Sequence, residues 1–372
     1  MKITAVEAIP LRMPLAHPYE IAIGTRREGH LVIVVVRTDE GLVGYGDASP
    51  ADGLPIAMET QKSIVSIVRD HLSHMLIGEN PLEIPRLIDK MHASVYGNYY
   101  AKAAIDNALY DVAGQALNQP VYVLLGGRRR DQILLSAGVG SRETATAVET
   151  AEAALGAGYR SLKVKVGFGL KRDLENLRAI RAAAGPDVPI RIDANMGWTY
   201  VTAVQAIRRM EECDLQLVEQ PLKRYDYVGM AALAAAVDVP IAADEMVWSP
   251  EDTQNVVRLK AAEIVNMKVM KVGGLCDAMR GTHILDAADL RYWAGTMGET
   301  GIGVAANIHF CAAVKNLPFA NEGARPAPYF LGDDVIRTQF VVKDGHMSVD
   351  QVNKPGLGIE VDQKQIARYR MD

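Results

Sequence analysis

A chain of 372 residues, 49% hydrophobic and 23% charged, carries enough apolar material for a large core and is longer than one ordinary domain. A net charge of −5 with no basic run excludes a surface built for nucleic acid or an anionic membrane. Three cysteines without CxxC spacing exclude a disulfide framework, and the N-terminus has neither a signal-peptide core nor an apolar run long enough to span a bilayer, so a soluble, cytoplasmic protein is expected.

In chain order, Ile3 to Met13 reads as a strand and His30 to Thr38 as a second. Leu42 to Ala48 follows as a third after the Asp39-Glu40-Gly41 turn. A polar loop from His17 to Gly29 is expected between the first two, and another from Ser49 to Pro55 after the third. Helical spacing of apolar residues then predicts helices over Ala57–Leu76, Leu82–Met91 and Tyr100–Leu117, the last stopped by Asn118-Gln119-Pro120. Residues 1–127 therefore read as an α+β domain, ending at Leu124-Leu125-Gly126-Gly127.

Beyond it the pattern alternates strand and helix. Strands are predicted at Ile133–Val139, Leu162–Val166, Ile190–Asp193, Gln216–Glu219, Pro240–Asp244, Ile264–Lys268, Arg291–Met297 and Phe319–Glu322. Amphipathic helices such as Thr144–Ala157, Leu170–Ala184 and Val201–Glu212 lie between them. Eight strands in this order predict a (β/α)8-type barrel over residues 128–325, whose last repeat lacks a proper closing helix. Residues 326–372 are expected to pack back on the first domain.

Charged residues close these strands in step. Lys165, Asp193, Glu219, Asp244 and Lys268 are separated by 28, 26, 25 and 24 residues, about one strand, helix and two loops each. In a parallel barrel that spacing brings all five to the C-terminal end of the strands. Three carboxylates with no His or Cys favour a hard cation, Mg²⁺ first and Mn²⁺ second, with open positions for a substrate carboxylate. Such a cation stabilises the charge that develops when an α-proton leaves. Lys163 lies two residues before Lys165 on the same strand face, where a neighbouring cation lowers a lysine pKa toward that of a base. The plain alternative is a structural network in which lysines and carboxylates pair. Five such residues in register make that the minor reading.

These residues, as Lys163-Val-Lys165, Asp193-Ala-Asn195, Val218-Glu219-Gln220-Pro221, Ala243-Asp244-Glu245 and Asn266-Met267-Lys268, resemble the enolase superfamily and within it the muconate-lactonizing-enzyme subgroup. The resemblance spans essentially the whole chain. It implies an α+β capping domain on a (β/α)7β barrel, with metal ligands Asp193, Glu219 and Asp244. Lys165 and Lys268 would be the acid–base pair, with Lys163 in support, and the assembly a homo-oligomer. Lys271 competes with Lys268, but its offset of three puts it on the opposite strand face or past the strand, and it is read as structural. Strand seven carries no His, which sets the chain apart from the mandelate-racemase-like branch.

The resemblance implies proton abstraction α to the carboxylate of a small molecule, and leaves open which. A racemase or epimerase of an amino-acid derivative comes first, because two lysines on opposite faces suit 1,1-proton transfer. A muconate-type cycloisomerase is the alternative. A dehydratase, a Schiff-base lyase on the strand-six lysine and a non-catalytic scaffold stand behind them. Specificity is expected from the first capping loop, with Tyr19, Thr25 and Arg26, and from Asn195, Asn321, Glu322 and Arg325. Arg26 and Arg27 either bind a distal carboxylate or acyl group or are solvated on a mobile loop. Glu299 either assists by hydrogen bonding near the site or caps a helix. Asn321-Glu322-Gly323 replaces the Asp-x-Asp of dipeptide epimerases, which argues against a dipeptide.

Overall fold

The computed structural model describes residues 1–372 apart from 22, 53, 55, 57, 141, 142, 324–329, 331, 332 and 372. Its N-terminal part is a three-stranded antiparallel sheet of β1 (Ile3–Ile21), β2 (Gly24–Thr38) and β3 (Val43–Ala48). The expected loop over 17–29 is instead the far half of a long hairpin, pairing Tyr19 with Arg26 and Ile21 with Gly24 after a register shift between Pro14 and Tyr19. The polar composition of this stretch, rich in Gly, Thr and Arg, reads as a loop, but its backbone is paired as a ribbon.

Four helices pack on this sheet. Thr60 closes a capping box with Ser63, so α1 (Gln61–Ile67) starts four residues later than the apolar spacing predicts. A π turn at Val68–Leu72 links it to α2 (Ser73–Leu76). Then come α3 (Ile84–Ser94) and α4 (Tyr99–Ala116), followed by the single turn α5 (Val121–Leu124). Helix α4 is buried without a break from Tyr100 to Gly114. It lies so close to the sheet that a side chain at Gly44 or Gly46 would collide with the carbonyls of Ala108 or Ala104.

The barrel follows. Its seven parallel strands, adjacent in chain order, are β5 (Ala137–Val139), β6 (Leu162–Lys165), β7 (Ile190–Asp193), β8 (Leu215–Glu219), β9 (Ile241–Ala243), β10 (Ile264–Met267) and β11 (Arg291–Ala294). Helices α6 (Thr144–Gly156), α7 (Leu170–Ala184), α8 (Tyr200–Met210), α9 (Tyr227–Ala234), α10 (Pro250–Leu259), α11 (Leu275–Ala287) and α12 (Gly301–Ala313) alternate with them. The eighth position is not a full strand. Residues 319–322 close the ring with a few hydrogen bonds: Asn321 N to Leu134 O (2.8 Å), Ser136 N to Asn321 O (2.9 Å) and Glu322 N to Ala294 O (2.8 Å). The expected first strand, 133–139, divides in two. Its front part, β4 (Gln132–Leu134), leaves the barrel and pairs with the tail strand β13 (His346–Ser348), itself paired with β12 (Val342–Lys343). The fold is a (β/α)7β barrel with an α+β cap.

The tail then returns to the cap. After it passes α5, where Val121 N meets Gly356 O at 3.1 Å, it ends in α13 (Gln363–Tyr369), and Met371 N bonds Pro10 O on β1 at 2.9 Å. Among the described residues no helix is long and apolar enough to cross a membrane.

Candidate active site

The barrel interior is layered. Leu217, Ala242, Ile264, Trp293 and Phe319 form one apolar cluster. The polar residues Lys163, Arg191 and Asn266 stand two residues before Lys165, Asp193 and Lys268. Period-two alternation carries the strand-end residues Lys165, Asp193 and Glu219, in register with one another, to the same interior face. Asp244 and Lys268 follow directly after β9 and β10.

The backbone at the strand ends is held tightly. Asn195, Met196 and Gln220 have left-handed φ of 41°, 61° and 35°, a region that costs Met and Gln more than Asn. The Gln220 amide justifies its position: its oxygen accepts from Asp244 N (2.8 Å) and Met246 N (3.3 Å), and its nitrogen donates to Leu222 O (2.9 Å). It thereby fixes where Asp244 projects.

Asp193, Glu219 and Asp244 are fully buried. Lys163 Nζ lies 2.9 Å from Asp193, 2.7 Å from Glu219 and 3.2 Å from Glu322. Lys165 Nζ donates to Asp193 Oδ2 (2.6 Å) and Asn195 Oδ1 (3.0 Å). On the other side Lys268 Nζ donates to Asp244 Oδ2 at 2.6 Å. Burial opposes the charge on Lys163 and on Lys268, but Asp193 and Glu219 outweigh it for the first and Asp244 for the second, so both lysine pKa values are raised. Burial also opposes ionisation of Asp193 and Asp244; their lysines prevail and hold both low.

Two acids go the other way. Burial, then Asp193, pushes Glu219 up to about 8. Burial, then Asp244, pushes Glu245 up to about 7, and its buried Oε2 has no hydrogen-bond partner. Among the described residues no set of three acid, His or Cys side chains gathers about one point at metal-binding distance; ammonium groups lie between the acids instead. The donor set still fits a hard divalent cation. All three candidate ligands are oxygen donors with no solvent of their own, and two acids of the cluster need more positive charge to ionise.

A cavity between barrel and cap opens above these groups. Lys163, Lys165, Asn195, Asp244, Lys268 and Glu322 line its floor, and Ile21, Arg26, Leu54 and Ile56 from the cap form its roof. Arg26 is 5% exposed, not solvated, and donates to Glu28 O (2.8 Å). Its neighbours Thr25 and Arg27 are exposed, as alternation along β2 requires, so Thr25 does not face the cavity. Tyr19 sits in the hairpin opposite Arg26. Arg325 lies outside the described residues.

Two other expected specificity residues have structural work. Asn321 accepts from Ala294 N (2.8 Å) and donates to Phe319 O (3.1 Å), so its amide sews the barrel seam and is not offered to substrate. Glu299 does not cap α12, where Thr300 is the cap; it accepts from Met297 N at 3.0 Å and from Thr296, which both line the cavity, so of the two expectations it meets that of hydrogen bonding near the site.

Sequence reasoning missed four residues. Lys271 is past the strand, as one option had it, yet its Nζ meets Asp244 Oδ1 at 2.6 Å, so it belongs to the site. Arg191 is fully buried, stacks 4.7 Å from the Trp293 ring, donates to Ala320 O (2.9 Å) and pairs with Glu322. Asn266 donates to Glu219 Oε1 (2.8 Å) and Glu245 accepts from Asn195 (2.9 Å). Arg191 and Asn266 were legible in principle, since each stands two before a site residue.

The sequence matches the mandelate racemase/muconate lactonizing enzyme N-terminal domain over residues 3–126 and the enolase C-terminal domain-like family over residues 146–365. The chain belongs to the mandelate racemase/muconate lactonizing enzyme family. Enzymes of this family are divalent-metal dependent. N-succinyl-L-Arg/Lys racemase of Bacillus cereus is 32% identical over 98% of this chain and 96% of its own. L-Ala-D/L-Glu epimerase of Bacillus subtilis is 34% identical over 96% of this chain and 97% of its own. Muconate lactonizing enzyme from Pseudomonas fluorescens, solved with muconolactone, superposes with a TM-score of 0.95 at 31% identity, covering 100% of this chain and 99% of that one. Within the family the chain stands in the muconate lactonizing enzyme subgroup and is an isomerase of the racemase, epimerase or cycloisomerase kind.

Proposed function

We propose that this chain is a Mg²⁺-dependent racemase or epimerase of an amino-acid derivative, working on the carbon next to a carboxylate. The observation that carries the reading is the position of two lysines. In a ring of eight positions β6 is the second and β10 the sixth, so Lys165 and Lys268 reach the same cavity from opposite sides. A planar intermediate held between them can lose a proton to one and regain it from the other.

Asp193, Glu219 and Asp244 would hold the Mg²⁺; Mn²⁺ suits the same oxygens. When bound, the ion supplies positive charge to the substrate carboxylate as the α-proton leaves. The chain's own groups do the rest. Lys165 Nζ takes the proton from one face, and Lys163, its neighbour on β6, favours the neutral form of Lys165. Lys268 Nζ delivers a proton to the other face. Asn195 holds Lys165 laterally at 3.0 Å. Arg26 and the apolar roof of Ile21, Leu54 and Ile56 receive the rest of the substrate, which suits an apolar body with an anionic or carbonyl group at its far end. Glu322 is already paired with Lys163 and Arg191, which argues against a substrate anchored by a free ammonium.

The test is deuterium incorporation. Mg²⁺-loaded protein is incubated in D₂O with N-acyl amino acids, dipeptides, proline derivatives and cis,cis-muconate, and mass spectrometry and proton NMR follow the α-position. Metal-dependent exchange with inversion is expected from an N-acyl amino acid. Lys165→Ala and Lys268→Ala should fold and each abolish inversion. Full inversion by either variant refutes the two-base reading. A second reading, cycloisomerase, is supported by the likeness to muconate lactonizing enzyme; a labelled lactone without inversion of any amino-acid derivative would establish it instead.

A further inference from the structure

The loop that carries Lys268 and Lys271 is tied to the capping domain at a place remote from the substrate roof. Helix α11 begins immediately after that loop, and its N-cap position is Gly274, with φ 115° and no side chain to cap with. The cap comes from the other domain. Asp106, in the middle of α4 and fully buried, accepts through Oδ2 from Leu275 N and from Cys276 N at 3.3 Å. A Cβ at Gly274 would collide with this carboxylate. The free ends of a helix need such a partner, and here the partner belongs to another domain.

From that anchor the connection to Lys268 runs through backbone. Gly274 N donates to Val269 O at 2.9 Å, and Val272 N donates to Lys268 O at 3.2 Å. The turn 268–274 is thus folded on itself between the anchor and the lysine, whose Nζ sits 2.6 Å from Asp244. A second strut arrives from the cap at the same turn, where Ser49 N meets Met270 Sδ at 3.0 Å. One helical turn beyond, His92 of α3 lies 2.7 Å from Asp277 of α11 and Arg280 bridges to Asp89 at 3.0 Å, so α11 is clasped to the cap along its first two turns. Strand β6, which carries Lys165, is braced within the barrel by β5 and β7.

We infer that Asp106 is a positioning residue for Lys268: the capping domain, beyond roofing the cavity, sets the placement of this one of the two proposed bases through the 268–274 turn. The inference rests on the two-base reading for its kinetic consequence only. Its structural consequence, that the 268–274 turn is ordered by Asp106, stands apart from any activity.

Two measurements test it. The first is amide hydrogen exchange followed by mass spectrometry on the wild-type chain, Asp106→Ala, Gly274→Ala and the near-isosteric Asp106→Asn. The alanine variants should lose protection over peptides spanning 268–280 while those spanning 162–166 keep theirs; Asp106→Asn should show the same pattern in milder form. Unchanged protection at 268–280 in all three, or equal loss in both regions, overturns the inference, whatever the substrate proves to be. The second is α-deuterium exchange from each enantiomer separately. A shift of about 1 Å in a base costs on the order of a hundredfold in rate, so Asp106→Ala should lose exchange from the enantiomer whose proton faces Lys268 by about tenfold to a hundredfold, with the other enantiomer nearly unaffected. Equal loss from both enantiomers means general destabilisation and overturns the positioning role. Wild-type protein that exchanges one enantiomer only would sink the two-base reading, and the protection pattern would still decide on the turn.

Discussion

Arg191→Met isolates the ion pair under the active-site floor. Arg191 is fully buried, its guanidinium paired with Glu322, donating to Ala320 O at 2.9 Å and lying 4.7 Å from the Trp293 ring. Methionine replaces the stem and removes the charge. Breaking a buried pair by removing one partner costs about 3–5 kcal/mol. Here Glu322 keeps Lys163 at 3.2 Å, which places the expectation near the lower end, about 3 kcal/mol. The assay is urea denaturation followed by tryptophan fluorescence, with Trp293 as the reporter beside the lesion, repeated for Glu322→Gln and for the double variant. Because the two residues share one interaction, the double variant should be less destabilised than the sum of the singles by about 1–3 kcal/mol. A single-variant cost under about 1 kcal/mol, or strict additivity, would refute the reasoning that the pair is desolvated and coupled.

Burial, then Asp193, raises the Glu219 pKa in the protein without a metal, so a cation that binds there displaces protons from this coupled cluster. Mg²⁺ binding should therefore release protons, and its apparent affinity should rise with pH up to about 8; calorimetry in two buffers of different ionisation enthalpy reads this, and a pH-independent affinity would remove Glu219 as a ligand. Asn321→Ala should destabilise by about 2–3 kcal/mol, since Ala294 N loses its partner in a dry seam, while KM stays within about twofold. A large KM change with unaltered stability would return Asn321 to the substrate. Arg26→Met should raise KM at least about tenfold for a substrate with an anionic far end and much less for a neutral analogue of the same length; equal effects on both would deny it that contact.

The sequence made the barrel and its charged ring readable for one physical reason. Parallel strands separated by one helix each impose a near-constant spacing, and strand alternation fixes the face, so residues that close strands must meet. Ile190–Asp193 and Leu170–Ala184 fall where the pattern puts them. The failures share a reason too. Lys271 lies in a turn, where no period says which way a side chain points, and only the fold brings it to Asp244. Residues 319–322 are too short a segment for alternation to tell Asn321, which serves the seam, from Glu322, which faces the cavity. The hairpin over 17–29 was hidden by a polar composition rich in Gly, Thr and Arg. Asp106 carries no local signal at all: its partner amides are 169 and 170 residues away in sequence.

Helix α4 has no face left for water from Tyr100 to Gly114, and barrel residues supply part of that cover. During synthesis it leaves the ribosome well before Leu275, so the part of this helix that the barrel covers stays open until more than half of the remaining chain has followed. The two halves are therefore expected to complete their packing together, although each has its own sheet. Dividing the gene after residue 127 should yield an N-terminal fragment that aggregates unless the barrel is co-expressed, and the full chain should depend on holdase activity during translation more than its plain barrel architecture suggests.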